Sequence, residues 1–212
     1  LEAALIGIHG AAAAEGVHDR YAHAFPVAYR DHYSFETAVF DIEKIETLLA
    51  GSPIAMHLHR QCGTAPDGIH LKIYAKGSPL PLSDVLPVIE NMGFKVVGEN
   101  PFQITPRGSA TAGGPIWIHD FALSLSGGQA IDIDTVRDGV HDAFARVWSG
   151  DMESDGFNKL VPLSGLMWRE VVILRAYAKF LRQAAFPFSQ SYVESAFTSN
   201  PNIGRMLIDL FM

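Results

Sequence analysis

Four short stretches of the chain alternate between apolar and polar residues or are rich in β-branched residues, which predicts strands. They cover residues 54–61, 68–77, 94–104 and 116–125. The alternation is cleanest in the second stretch, where Ile69, Leu71, Ile73 and Ala75 share one face. A Pro-Asp-Gly sequence between the first two stretches is typical of a turn, so we expect these two strands to form a hairpin.

Three further stretches carry apolar residues at every third or fourth position, which predicts amphipathic helices. They cover residues 36–49, 82–92 and 132–149. Gly51 and Gly93 follow the first two stretches, and glycine commonly ends a helix because it adopts the left-handed backbone conformation without strain. Ser83 or Asp84 can cap the second helix.

The predicted order is strand, strand, helix, strand, strand, helix. A ferredoxin-like fold runs strand, helix, strand, strand, helix, strand. Moving the last strand of that fold to the front gives the order found here. We therefore predict an α+β fold, in which an antiparallel ferredoxin-like sheet has helices packed on one face. The periodicity does not decide the order of the strands within the sheet.

The pattern changes after Gly150, where a polar linker leads into an all-helical segment. Apolar residues step by three or four over residues 159–184, which predicts one long amphipathic helix. Pro187 ends this helix because proline lacks the N–H that a helix interior needs. Two shorter helices are expected after it, over residues 189–197 and from residue 201 onwards.

These elements divide the chain into three predicted parts. They are a tail or the end of a preceding domain over residues 1–25, the α+β domain over residues 26–150, and a helical module over residues 151–212. The chain begins at Leu1 and stops at Met212 within an apolar helical pattern, so we expect it to be a fragment of a longer polypeptide.

The amino-acid composition excludes several classes of protein. The chain has 212 residues, of which 48% are hydrophobic, and a formal net charge of −7. A chain with a net negative charge is repelled by the phosphate backbone, so we expect no broad nucleic-acid-binding surface. It has one cysteine, Cys62, which excludes an internal disulfide framework. No apolar run is long enough to span a bilayer, so we expect no membrane association and a cytoplasmic location.

Two groups of residues suggest catalytic or metal chemistry. His57 and His59 share a strand face near Cys62, but two histidines do not complete a zinc site, so we predict no metal. His119 and Asp120 could form half of an acid–base pair. Neighbours in a strand point to opposite faces, however, so we expect no hydrogen bond between them and no catalytic residue here.

Other polar groups have ordinary structural explanations. Gly127-Gly128 is neither a dinucleotide fingerprint nor a phosphate loop, and a turn between strand and helix explains it. Asp132 and Asp134 suit the start of a helix better than a metal.

Three cations of the helical module follow one another at helical spacing. Arg175, Lys179 and Arg182 predict a solvated stripe, or one that pairs with acids elsewhere in a parent chain. Anion binding is the functional alternative for this stripe.

One turn is a candidate ligand site. Gly77, Ser78, Ser83 and Asp84 lie where the second strand gives way to a helix, and helix N-termini offer free N–H groups to carboxylates. A small amino-acid effector could bind there, although ordinary helix capping explains the same residues.

Long, ordered stretches of the chain resemble the large bacterial NAD-specific glutamate dehydrogenases. The resemblance covers residues 25–212, and its most specific parts are LSDVLPVIENMGFKV and WREVVILRAYAKFLRQ. It implies an ACT-like domain, a regulatory α+β module, followed by the helices that lead to a catalytic domain. It also implies a parent enzyme that oxidises L-glutamate to 2-oxoglutarate and ammonium with NAD.

No catalytic or NAD-binding residue of that family can be carried onto this sequence, because its glutamate pocket and its glycine-rich dinucleotide motif have no counterpart here. We therefore expect a chain without a cofactor of its own, acting in architecture, in homo-oligomeric subunit contact or in amino-acid sensing. Three hypotheses remain: a segment of an enzyme, a stand-alone amino-acid sensor, and a protein-interaction module.

Overall fold

The structure is a computed structural model that describes residues 11–60, 68–108, 114–125 and 131–212, without the side chains of residues 11–15. The chain divides into two compact units. The first unit comprises residues 1–57, 71–80 and 99–121, and the second comprises residues 58–70, 81–98 and 122–212.

Nine α-helices and four strands lie in the part of the chain that the structure describes. The helices are α1 (Ala11–Tyr21), α2 (Val27–His32), α3 (Phe35–Leu49), α4 (Leu82–Asn91), α5 (Ile133–Trp148), α6 (Leu160–Ser164), α7 (Trp168–Gln183), α8 (Gln190–Ser199) and α9 (Pro201–Phe211). A short 3₁₀ helix, Gly156–Lys159, precedes α6. The strands are β1 (Ala55–Arg60), β2 (Ile69–Lys76), β3 (Phe94–Ile104) and β4 (Ile116–Leu125).

The four strands form one sheet in the order β1-β2-β4-β3. A ferredoxin-like sheet has its first and third strands in the centre. When the last strand moves to the front, these become β2 and β4, which are the central strands here. The structure therefore confirms the predicted antiparallel α+β fold followed by a helical segment. It also shows that seven consecutive residues of β2, Ile69–Ala75, are buried, so both faces of this strand are covered.

The first unit has its core where α3 packs on the sheet. Ser34 caps α3 by accepting a hydrogen bond from the Thr37 N–H, and the apolar spacing that follows turns one face of the helix inward. The core cluster contains aliphatic and aromatic side chains from α1 to α3 and from the strands. It comprises Tyr21, Ala24, Phe25, Tyr29, Ala38, Ile42, Ile45, Leu48, Ala55, Tyr74, Phe102, Ile104, Ile116 and Ile118.

The helical segment of the second unit departs from the prediction in one respect. The expected continuous helix over residues 159–184 is wrong, because Gly165 has a φ of +63° and ends α6 in the left-handed conformation. A new helix, α7, begins three residues later, with Met167 as its N-cap. Met167 is exposed rather than part of an apolar stripe. The helices predicted after Pro187 and from residue 201 are confirmed as α8 and α9.

Several predictions lie outside the described residues. The hairpin turn after β1 with Cys62, residues 109–113 of the loop that joins β3 to β4, and Gly127-Gly128 belong to this group. The boundaries at residues 25 and 150 stay a prediction. None of the described helices combines the length and the apolar character needed to cross a bilayer.

Candidate functional site: a buried carboxylate hub beneath helix α3

The predicted effector residues at the end of β2 lie in a turn fixed by the first unit. Gly77 has a φ of +90°, and its N–H donates to the Pro115 carbonyl at 2.8 Å. The backbone approaches closely here, because a Cβ added to Gly114 would lie 3.1 Å from the Gly77 Cα. Glycine is therefore needed for local packing at this turn, and Ser78 follows it as an exposed residue.

His119 holds the next part of the same turn. Its Nε2 accepts a hydrogen bond from the Leu80 N–H at 3.1 Å, so the ring proton sits on Nδ1. That proton is donated to Glu99 Oε1, 2.7 Å away. His119 is buried, and both of its nitrogens are used for positioning. Its sequence neighbour Asp120 accepts instead from the Tyr33 hydroxyl, which agrees with the prediction that the two do not pair.

Ser83 and Asp84 lie in the first turn of α4, in the second unit. The N-cap of this helix is Pro81, which has no side-chain cap, so the expected capping by Ser83 or Asp84 is wrong. Both residues come after the cap position, and the Ser83 hydroxyl donates to Asp84 Oδ1 at 3.2 Å. Both are exposed. Their role in effector binding stays a prediction.

A densely connected polar site of the first unit lies elsewhere and was missed by the sequence analysis. Asp41, on α3, is fully buried and accepts three side-chain hydrogen bonds. The donors are the Tyr29 hydroxyl at 2.5 Å, the Lys72 ammonium at 2.7 Å and the Tyr74 hydroxyl at 2.6 Å. We call these four residues the Asp41 hub. It joins α2, α3 and β2 through one carboxylate.

A second carboxylate extends the hub. The Lys72 ammonium lies 3.9 Å from the centre of the Tyr33 ring, where the negative face of the ring attracts a cation. The Tyr33 hydroxyl donates to Asp120 on β4. Two buried acids and one buried lysine are therefore linked through tyrosines across α2, α3, β2 and β4. A closed network of this kind rigidifies the elements it joins.

The tyrosines of this network are held as neutral phenols. Burial raises the pKa of Tyr29 and Tyr74 well above the ordinary tyrosine value, and the nearby Asp41 carboxylate raises both further. Burial and Asp120 raise the pKa of Tyr33 in the same direction. Each phenol can thus only donate to its acid.

The geometry of the hub is suited to holding helices against the sheet rather than to catalysing a reaction. Asp41 and Tyr74 are 0% exposed, and Tyr29 and Lys72 are 1% exposed. Each polar atom of the group already has a partner inside the protein, so no side chain of the hub is open to a substrate. What the hub can do is hold α2 and α3 against the sheet.

A separate link fastens α1 to α3. The Arg20 guanidinium donates to both oxygens of Glu46, at 2.7 and 2.8 Å, and the Tyr21 hydroxyl donates to the same carboxylate at 2.6 Å. Both arginine bonds come from the same nitrogen, Nη1, and are strengthened by the opposite charges of the two groups. Two acids of α3, Asp41 and Glu46, therefore tie α1 and α2 to this helix.

Of the three cations of the helical module, Arg175 differs from the prediction of a solvated stripe. Arg175 is 3% exposed and forms a bidentate pair with Asp155, through bonds of 2.7 and 2.9 Å, and it donates to Asn158 Oδ1 at 2.6 Å. It was expected on a solvated stripe or paired with acids elsewhere in a parent chain, and the acid with which it pairs lies 20 residues away in this chain. Lys179 pairs with Glu153, and this hydrogen bond lowers the pKa of the Glu153 carboxyl.

The remaining candidates are the histidines of β1, whose possible partner Cys62 lies outside the described residues, and the acids at the start of α5. The His57 ring packs 4.1 Å from the Phe40 ring. Among the residues that the structure describes, no group of three or more possible metal ligands comes together. Asp132 caps α5 by accepting from the Asp134 N–H, as predicted.

Comparison with known proteins places the chain in a family. Three family models match it in succession: glutamate dehydrogenase helical motif 2 over residues 4–48, the glutamate dehydrogenase ACT3 domain over residues 53–136, and glutamate dehydrogenase helical motif 3 over residues 152–212. Asp41 falls within the helical motif 2 match, and Lys72 and Tyr74 fall within the ACT3 match.

Curated relatives agree with these matches. NAD-specific glutamate dehydrogenase from Halomonas elongata is 40% identical over 91% of this chain and 12% of the relative. The Pseudomonas aeruginosa protein of the same name is 37% identical over 88% of this chain and 11% of the relative, and that of Mycobacterium tuberculosis is 38% identical over 98% and 13%. The chain thus spans about one-eighth of the length of these relatives. The chain belongs to the NAD-specific glutamate dehydrogenase family, in which it is homologous to helical motif 2, the ACT3 domain and helical motif 3.

Proposed function

We propose that this chain is a non-catalytic, architectural segment of a glutamate dehydrogenase, and that the Asp41 hub fixes the helices of motif 2 to the ACT3 sheet. The observation that carries the proposal is the set of three donors on one buried carboxylate, from α2 and from β2. Such a network holds helix and sheet in one arrangement. A rigid frame of this kind transmits position between the domains on either side of it.

The complete enzyme, under this proposal, transfers a hydride from L-glutamate to NAD and releases 2-oxoglutarate and ammonium. We assign the glutamate and NAD sites to parts of the polypeptide outside this chain. We further propose that the enzyme is a cytoplasmic homo-oligomer whose other domains and subunits are the partners of this segment.

Two assays test the proposal. The purified chain, mixed with L-glutamate and NAD, is expected to form no NADH. In the complete enzyme, Asp41→Asn is expected to lower the fraction of assembled, active protein while the KM values for glutamate and NAD stay unchanged. NADH formation by the isolated chain would contradict a non-catalytic role. A change confined to either KM would place Asp41 in substrate binding instead.

An amino-acid sensor is the second candidate function. It is favoured by the exposed first turn of α4, where Ser83 and Asp84 follow an N-cap without a side-chain hydrogen bond. A thermal-shift screen of the chain against the twenty amino acids, 2-oxoglutarate and NAD tests it, since a ligand that binds only the folded state raises the midpoint. A selective shift that Ser83→Ala and Asp84→Ala abolish supports the sensor. No shift with any compound excludes it.

A further inference from the structure

The last three helices of the chain enclose an apolar groove. It has a volume of about 420 Å³ and lies among α7, α8 and α9. Its lining is aliphatic and aromatic throughout: Ile173, Leu174, Tyr177, Ala178, Leu181, Val193, Phe197, Leu207, Ile208, Leu210 and Phe211. No charged side chain lines it, so the groove suits an apolar occupant.

Helix α9 has two apolar faces, and the chain uses only one of them. Gly204 and Ile208 are buried, and a Cβ on Gly204 would meet Leu174 at 3.5 Å. On the other face Leu210 is 83% exposed and Met206 is 68% exposed. Large apolar side chains at this density on a surface mark a site of protein contact.

Arg182 directly follows the last residue of α7 that lines the groove, and its side chain lines a separate depression with Lys179 and Gln183. Arg182 is exposed, and no ion pair or hydrogen bond of its side chain occurs within the described ranges. It lies one helical turn beyond Ala178, which lines the groove, and next to Leu181, which also lines it. An occupant that carries a carboxylate at this end would pair with Arg182 as its apolar side chains fill the groove.

We propose that the groove receives an amphipathic helix from the part of the glutamate dehydrogenase polypeptide outside this chain, with an acidic side chain placed at Arg182. The inference rests on the proposed function. The relatives supply the source of the helix, since nearly nine-tenths of their length lies beyond the matched region. An amphipathic helix laid in an apolar groove is a recurrent mode of recognition.

The shape of the site favours such a helix over a second copy of the same surface. In a twofold dimer the same patch faces itself. Two concave grooves facing each other leave their volumes unfilled, and a void forfeits the contacts that close packing supplies. A separate convex helix fills the groove and covers Leu210 and Met206 together.

Photo-crosslinking in the complete enzyme tests the proposal. The photoreactive amino acid p-benzoylphenylalanine replaces Leu210, whose exposure lets the probe be accommodated without disturbing the fold. The expected product runs as a single polypeptide on a denaturing gel. Its mass spectrum joins residue 210 to a segment outside residues 1–212 that has apolar residues at helical spacing and an acidic residue. The same probe in place of Val97, which is 69% exposed on β3, is the control and should not give this product.

Charge reversal at Arg182 adds a second measurement. Arg182→Glu is expected to lower the yield of the cross-linked product about tenfold, because like charges meet across the interface, while Arg182→Lys keeps most of it. A product that joins two copies through residues 201–211, a cross-link to another protein, or no cross-link at all would overturn the proposal. None of these results depends on the outcome of the Asp41→Asn assay. Failure of the groove proposal is therefore distinguishable from failure of the proposed function.

Discussion

Lys72 and Asp41 form an ion pair of 2.7 Å in which both side chains are removed from water, at 1% and 0% exposure. Desolvating two charges costs several kcal/mol, and this cost is offset only when further hydrogen bonds satisfy both groups. Tyr29 and Tyr74 supply those bonds to Asp41, and the Tyr33 ring supports Lys72. The ion pair therefore depends on the tyrosines around it.

Replacing Asp41 with asparagine should destabilise the chain by about 3–5 kcal/mol, since one amide oxygen cannot accept from three donors and Lys72 is left buried without a counter-charge. Urea unfolding followed by circular dichroism measures the change in the free energy of unfolding. Asp142→Asn is the matched control. Asp142 forms a partly exposed pair with Arg146 at 3.5 Å, so the control should cost less than about 1 kcal/mol. Equal effects of the two substitutions would refute a special role for the hub.

Alkaline pH should weaken the fold through the hub tyrosines. Their pKa values are raised in the folded state, so the stability they contribute is fully present below the unfolded tyrosine pKa of about 10 and is lost as the pH rises above it. Each such tyrosine adds a slope of about 1.4 kcal/mol per pH unit. Unfolding free energies measured from pH 9 upwards should fall more gently in Tyr29→Phe than in the unmodified chain. Parallel curves would show that Tyr29 ionises equally in both states.

The buried arginine of the helical module offers a comparison within one helix. Arg175→Lys should cost about 3 kcal/mol, because an ammonium cannot reproduce the two-pronged pairing with Asp155 and the bond to Asn158. Arg182→Lys, on the exposed side of α7, should change stability by less than about 0.5 kcal/mol. Thermal unfolding of both variants checks this, and a neutral Arg175→Lys would show that the pair is replaceable.

The turn after β2 should depend on the tautomer of His119. His119→Phe leaves the Leu80 N–H and the Glu99 carboxylate without their partner, at a cost of about 1–3 kcal/mol. Hydrogen exchange of the Leu80 amide reports directly on this bond. Faster exchange at Leu80 is expected in the variant, and unchanged exchange would mean that the bond does not hold the turn.

The positions of the strands and helices could be predicted because they depend on residues that are close together in the sequence. The alternation in β2 and the glycine after α3 depend only on neighbouring residues, and β3 and β4 begin and end at the predicted residues. The break at Gly165 was missed because the apolar spacing continues across it. Hydrophobic periodicity does not reveal a residue in the left-handed conformation that separates two helices, when the apolar spacing is the same on both sides of it.

The hub was missed because polar residues in an alternating strand look like a solvent-facing row. Lys72 and Tyr74 alternate with Leu71 and Ile73, and only the packing of α3 over that face shows that it is buried. The signal available was Asp41, an acid inside the apolar stripe of α3. A buried acid predicts a buried donor, but the sequence does not say which of many donors will reach it.

Hydrogen exchange of α3 tests the central claim most directly. The amides of residues 35–49 are compared between the unmodified chain and Asp41→Asn, with α7 in the second unit as the internal reference. If the hub fixes α3 to the sheet, exchange in α3 should accelerate about a hundredfold while α7 changes far less, since a loss of about 3 kcal/mol is confined to the elements that the hub joins. Unchanged exchange in α3 would contradict the claim that Asp41 holds the helices of motif 2 against the ACT3 sheet.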